Sequence, residues 1–300
     1  MADKGIAIRK SPPRPSRGGG RQGLGTPRLH PGKLVHVTSR AVGLSVAALT
    51  LVTACSSGGS GPASTPLTPR QAMLAAATQA QKITSATETL TVQESGIQNV
   101  TTTGTIQVRR TPTPLLSENL NVTDAGKSTQ IKAILTGTAI YINEPSLAKQ
   151  IGKPWLRLRL AALSKTPLAS IAQLVRSLQS NNFANQTQLL AATKHARVVG
   201  KQTVDGVPST EYAGSLRTAE ALRALSPAFR KALAPALQAL GNRTINFHVW
   251  LDGQHHTRKI TEVETINGET INTTVNITAI NQPVQITPPP ASQTFAPPGG

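Results

Sequence analysis

Between Ala86 and Asn143 the chain alternates with period two, and that pattern restricts what it can fold into more than any other feature. Val100, Thr102, Gly104, Ile106 and Val108 fall on one side of an extended segment. Thr101, Thr103, Thr105, Gln107 and Arg109 fall on the other. Residues 86–95, 114–122, 128–136 and 138–143 read the same way, with Gly96, Pro112, Pro114, Asp124-Ala125-Gly126 and Gly137 between them. Such segments cannot present one face of a helix. They predict an antiparallel meander with one wet face and one dry face.

The flanks fill in the order of elements. Thr68 and Pro69 are the N-cap and first position of a helix that runs to about residue 84. Leu156, Leu158 and Leu160 alternate with Trp155, Arg157 and Arg159. Helical spacing returns from Pro167 through Leu178 and over 217–240, where Ser226-Pro227 is an internal cap and Pro235 a break. A shorter helix is predicted over 185–193. Strands are predicted over 195–204 and 209–216, around the turn Asp205-Gly206-Val207-Pro208. Three more follow: one around Ile245–Leu251, one over 258–266 after Asp252-Gly253, and one around Ile271–Ala279. The expected fold class is α+β: a large curved antiparallel sheet, a half-barrel, with helices on its concave face. The apolar residues are mostly Ala, Leu, Ile and Val, and aromatic residues make up 3%. An aliphatic sheet under helices can pack solidly or leave a hydrophobic cavity between the layers.

The first 54 residues are of another kind. They hold nine basic side chains and one acid, which leaves +10 of the formal +18 to the rest of the chain. Residues 1–40 are rich in Pro, Gly, Ser and Arg and too poor in apolar groups to form a core. Ala41–Val52 is a twelve-residue run without charge. As a helix it spans about 18 Å, short of a roughly 30 Å hydrocarbon layer. Behind a basic stretch it reads as the apolar region of a signal peptide. Residues 1–54 are therefore expected to be a basic leader and signal peptide, and 55–67 a flexible Ser/Gly/Pro tether. A single α+β domain is expected over 68–282, with a Pro-rich tail over 283–300.

The boundary reads Val52, Thr53, Ala54, Cys55 and resembles a bacterial lipobox. By that resemblance the thiol of Cys55 accepts diacylglyceryl, the chain is cut before it, and a further acyl group such as palmitate is added. Two or three acyl chains, at about 0.8 kcal/mol per buried CH₂, hold a protein firmly on a bilayer. The expected location is the extracytoplasmic side of the cell membrane, lipid-anchored in the envelope.

Two strand motifs carry a second resemblance. Val204, Asp205, Gly206, Thr210 or Ser209, Tyr212 and Gly214 form one. Trp250, Leu251 and Asp252, with Arg258-Lys259-Ile260 on the return strand, form the other. Together with the order of elements they resemble the LppX/LprA/LprF/LprG-type lipoproteins of mycobacteria and related actinobacteria. The resemblance implies a LolA/LolB-like fold with a cavity that holds lipids or glycolipids in transit through the envelope, and admits a lipid transporter as a further partner. It carries over as a region rather than residue by residue. The candidate cavity residues are Val92, Ile106, Val108, Leu135, Leu174, Leu178, Leu225, Phe229, Phe247 and Val249. The alternative is a non-enzymatic structural or interaction lipoprotein whose core is packed.

Other chemistry finds little support. One cysteine excludes a disulfide framework and Cys-based zinc sites. His195, His248, His255 and His256 lack metal-ligand spacing, so no metal or other cofactor is expected. There is no nucleophile elbow and no phosphate loop, and no carboxylate pair stands out, so no catalytic residues are assigned. Basic residues are not interleaved with stacking aromatics, which argues against nucleic acid. A diffuse basic surface suits anionic headgroups at up to about 1 kcal/mol per side chain close to a membrane.

Overall fold

The structure, a computed structural model, describes residues 67–96, 99–163, 196–217, 244–266 and 268–297, with a few isolated positions between them. Helix α1 spans Pro69–Ala80. Strands β1 to β5 span Ser85–Ser95, Val100–Arg109, Leu115–Asp124, Lys127–Leu135 and Ala139–Asn143. Helix α2, Pro145–Ile151, leads to β6, Trp155–Arg159, and the single turn α3, Leu160–Leu163. Then come β7, Arg197–Val204, β8, Val207–Arg217, β9, Thr244–Asp252, β10, Thr257–Ile266, and β11, Glu269–Ile280. The two-residue β12, Thr294–Phe295, follows the Pro-rich stretch.

All twelve strands lie in one sheet, in the order β12-β6-β5-β4-β3-β2-β1-β11-β10-β9-β8-β7. Every pairing is antiparallel except β12 on β6. The sheet is therefore mixed only at that edge, and it stays open because β7 and β12 are its two ends. Two meanders make it. One runs outward from β1 to β6 and the other inward from β7 to β11, and they meet where β1 pairs β11. The tight connections are those the residues ask for. Ala125-Gly126 and Asp205-Gly206 both have positive φ at each position (48° and 77°, 47° and 80°), the two-residue turn that matches strand twist.

Register decides which side chains share a face. One row runs Tyr212, Val249, Ile260, Val275, Leu90, Gly104, Leu120, Ile131 across β8 to β4. These are apolar and mostly buried. The opposite face carries Thr89, Thr105, Asn119, Lys132 and Asn276 in a single row. The described helices sit on the apolar face. Helix α1 buries Ala72, Met73 and Ala76 against Tyr212, Val249, Leu251 and Ile260. The alanines among them, Ala72 and Ala76, let the helix lie close to the strands. Helices α2 and α3 bury Leu147, Ile151 and Leu163 against Ile140, Ile142 and Leu156 at the other flank.

Both longer helices are capped by local chemistry. Thr68 and Gln71 form a reciprocal capping box at α1, with Thr68 N–H donating to Gln71 Oε1 at 2.9 Å. At its far end the Arg110 guanidinium donates to the Ala80 carbonyl at 2.8 Å, placing a cation on the negative pole of the helix. Burial draws Arg110 down to about 10, against the opposing pull of Glu88. Helix α2 was not anticipated from periodicity. Its signals are terminal: Glu144 caps it, accepting from Ser146 N at 2.9 Å and Leu147 N at 2.8 Å, Pro145 follows, and Gly152 ends it at φ 69°. Burial pushes the Glu144 carboxyl up, but the hydrogen bonds from Ser146 and Leu147 outweigh it and hold it below its usual value.

From Pro283 the chain turns back to the sheet. Ile286 is buried, Lys153 Nζ donates to the Ser292 carbonyl at 2.7 Å, and Phe295 packs against the cluster under α2.

Candidate functional site

The apolar face is the candidate site, and six of the ten candidate residues lie in the described part. All six share that face. Val92 and Ile106 are buried on β1 and β2 in one cluster, with Val108 packed against it. Val249 is buried under α1, with Phe247 beside it. Leu135 packs against the α2–α3 flank. Leu174, Leu178, Leu225 and Phe229 lie outside the described residues, as do Val52, Thr53, Ala54 and Cys55.

The three clusters differ in what covers them. Val249 is in contact with α1, and Leu135 lies beside α2 and α3. Among the described residues the middle cluster of Leu90, Val92, Ile106, Leu120 and Val275 is made of strand side chains, each no more than 3% exposed. It is continuous across β11, β1, β2 and β3, so three strand spacings, about 14 Å from first to last, form one aliphatic strip. Gly104 sits within it. A methyl group there would collide with the Asn119 carbonyl oxygen and stand 2.7 Å from Leu120, so Leu120 fills the place of the absent side chain.

Polar groups on the same face were missed in the sequence. Glu88 and Glu118 flank Ile106 and are 2% and 6% exposed. Thr273 and Thr102 flank Val92 in the next row and are also buried. Glu262 and Glu264 follow Ile260 on β10 at two-residue steps, so both point to this face, while Val263 points away and is 42% exposed. Burial, reinforced by Glu264, pushes the Glu262 carboxyl up to about 7. The signal was the run Ile260-Thr-Glu-Val-Glu-Thr-Ile266. Its apolar residues fall at steps of three, so alternation alone did not say which side was in.

Two further constellations have structural duties. Asp252 is a buried hub at the β9–β10 turn. Its Oδ1 accepts from Gln254 N (2.9 Å) and His256 N (2.8 Å), and its Oδ2 from His256 Nδ1 and Arg258 Nε (each 3.0 Å), with Arg258 Nη2 in ion-pair contact at 3.0 Å. Burial raises its pKa, but the bonds and charge of His256 and the Gln254 N–H bring it below the usual value. Asp252-Gly253 is thus a turn, as expected, with a carboxylate that fastens it. On the outer face Trp250 stacks on His248 at 6.0 Å between centroids, Lys259 Nζ stands 4.8 Å from the indole, and His248 Nδ1 meets Glu211 Oε1 at 2.5 Å. Tyr212 faces α1, and burial raises its phenol. Among the described residues no three His, Cys, Asp or Glu side chains are grouped to hold a metal ion, and no helix is long and apolar enough to cross a membrane.

No family model and no curated protein matches the chain. Among solved structures it is similar to LprF from Mycobacterium bovis, at 10% identity and a TM-score of 0.47, over 74% of this chain and 96% of that one. It is similar to the lipoprotein LppX of Mycobacterium tuberculosis at 18% identity and a TM-score of 0.41, over 73% and 96%. A LolA superfamily protein from Nitrosomonas europaea aligns at 10% identity and a TM-score of 0.22, over 74% and 96%. The first two are of the lipoprotein type that the strand motifs resemble.

Proposed function

We propose that this chain is an envelope lipoprotein, cut before Cys55 and acylated there, that binds lipid acyl chains on the apolar face of its sheet and carries them between membrane and envelope. The carrying observation is the continuous, buried aliphatic strip across β11, β1, β2 and β3, made among the described residues of strand side chains. Acyl chains need such a surface, aliphatic, wide and free of charge along its middle row. The work is binding and release, so it needs no catalytic group, and the reading assigns none. The lipobox supplies the anchor and residues 55–67 the reach.

The test is extraction. Protein purified from its own host under mild conditions is expected to release lipid into organic solvent in a fixed molar ratio, read by mass spectrometry. Native mass spectrometry should show the same mass on the intact protein. Protein that carries no lipid and takes none up from vesicles overturns the carrier reading and leaves the structural lipoprotein.

A further inference from the structure

The side of the sheet that faces away from the helices is not uniform. Across β11, β1, β2 and β3 one of its rows is Asn276, Thr89, Thr105 and Asn119, all small and polar. Across β4, β5 and β6 the character changes. Ile134 pairs with Tyr141 and Tyr141 with Arg157, so these three stand side by side. Lys132 lies two residues before Ile134, and Trp155 and Arg159 lie two residues either side of Arg157, so all share that face. Two strand spacings across and four residues along make a patch of about 10 by 13 Å. It joins three cations to an isoleucine and two amphipathic aromatic rings. The chain has two tryptophans and two tyrosines, and one of each stands here.

The charge there has one sign. On this side β1 to β6 carry Arg109, Lys132, Arg157 and Arg159 and no carboxylate, because register turns Glu88, Glu94, Glu118 and Asp124 to the apolar side. Among the described residues no ion pair engages Lys132, Arg157 or Arg159. Arg157 is half-buried, and its Nε meets no hydrogen-bond partner. Other arginines have duties within the fold: Arg258 is held by Asp252, and Arg110 caps the end of α1. A surface that had only to stay in solution would mix both signs. A strand near the sheet edge that had only to resist wrong pairing would need a charge but no tryptophan. A second observation lies at the Trp155 end of β5 and β6. An open cleft of about 360 Å³ there is lined by Asn143, Lys149 and Lys153 among others, which adds two cations beside the ring.

We propose that the outer face of β4, β5 and β6 docks on an anionic phospholipid surface, with Lys132, Arg157 and Arg159 against headgroup phosphates and Tyr141 and Trp155 at headgroup depth. The inference goes beyond the carrier reading and does not depend on it. A guanidinium fork takes phosphate oxygens in pairs, and an arginine with no internal carboxylate has its donors to give. Tyrosine and tryptophan bring an apolar ring and a polar tip, the combination that settles where hydrocarbon meets water. Clustered Lys and Arg are drawn to the negative potential of such a surface. Residues 55–67 reach at most about 45 Å when extended, which gives a chain anchored at Cys55 room to turn this face to the bilayer. Docked so, the sheet keeps its helix-bearing side toward the envelope.

The test uses the full mature chain made soluble as Cys55→Ser, sedimented with vesicles of phosphatidylcholine alone or with about one third phosphatidylglycerol. Binding is expected to the second and not the first, and to weaken as salt rises. Each cation close to such a surface contributes about five-fold, so the triple variant Lys132→Gln, Arg157→Gln, Arg159→Gln is expected to partition ten-fold or more weaker. Its melting temperature should match the parent's, since none of the three has an ion pair to lose. The charge-matched control Lys82→Gln, Lys201→Gln, Arg217→Gln should stay within about two-fold of the parent. Tryptophan emission is expected to shift to the blue on the anionic vesicles, and Trp155→Phe to abolish the shift, because Trp250 is only 6% exposed beforehand. No binding to the anionic vesicles, equal losses in the two triple variants, or a shift that survives Trp155→Phe overturns the docking face. Binding to soluble polyphosphate that vesicles do not displace assigns the face to an anionic polymer and overturns the bilayer as its partner. Lipid extraction reports on the carrier reading separately, so each can fail without the other.

Discussion

Replacing Asp252 by Asn should destabilise the domain more than any other single-atom exchange in the described sheet. The carboxylate gathers four hydrogen bonds, two from backbone N–H groups and two from the His256 and Arg258 side chains, and an ion-pair contact from Arg258 Nη2. Asn can keep the two backbone bonds through its carbonyl oxygen. Its amide then turns N–H groups toward Arg258 and His256, donor against donor, and the negative charge is gone. Arg258 is 8% exposed, so its guanidinium loses this carboxylate in a buried setting. Breaking a buried pair in that way costs about 3–5 kcal/mol. For a domain of roughly 150–250 residues each kcal/mol lowers the melting temperature by about 2–4 °C, so a fall of about 6–20 °C is expected. The assays are thermal melting and urea denaturation of Cys55→Ser protein with and without Asp252→Asn. The pH dependence is a second signature. The Asp252 pKa is lowered on folding, so its contribution is complete above the unfolded carboxylate value and is lost as pH falls through the folded one. The parent should lose that part of its stability only in acid, and the variant should lack it throughout. A loss under about 1 kcal/mol at neutral pH would refute the hub.

Three other outcomes follow from the packing. Gly104→Ala drives a methyl group into the Asn119 carbonyl and Leu120, so the urea midpoint should fall by an amount worth about 1–3 kcal/mol with an unchanged slope. Val249→Trp overpacks the contact with Ala72 and Met73 and should cost a similar 1–3 kcal/mol, whereas Val122→Trp, half-buried on the same face, should leave stability nearly unchanged and reduce lipid uptake. Cys55→Ser should abolish incorporation of a palmitate analogue and move the protein from the detergent phase to the aqueous phase; retained label would refute acylation at Cys55.

Local periodicity carried much of the fold because so much of the fold is local. The expected order of six strands, then two, then three is the order found, since each hairpin needs only alternation and a turn residue. Asp205-Gly206 and Ala125-Gly126 supply those turns. Helix α2 escaped because seven residues give only one apolar repeat, Leu147 to Ile151, and the evidence lay in Glu144, Pro145 and Gly152 instead. The pairing of β1 with β11 could not be read at all, as nothing in either strand names a partner so distant. The candidate site was half legible. Val92, Ile106, Val108, Leu135, Phe247 and Val249 share a face because their spacing is even and their neighbours are polar. Glu262 and Glu264 were hidden because side chains of that type are assumed to face water, and only the pairing of Ile260 shows that they do not.

The pairing of β1 with β11 has a consequence for how the chain must be assembled. Ser85–Ser95 lies at the middle of the sheet, yet its partner Glu269–Ile280 is nearly the last strand to be synthesised. Each meander can form from neighbouring hairpins, but the loop closed at the seam contains most of the domain, and such distant contacts form slowly. Until residue 280 has emerged, the growing chain carries a strand rich in Leu, Val and Thr with one open edge, a template for pairing with the wrong partner. A stop codon near residue 268 would therefore do more than trim a margin. It would remove the midline and leave two half-sheets with nothing to join them.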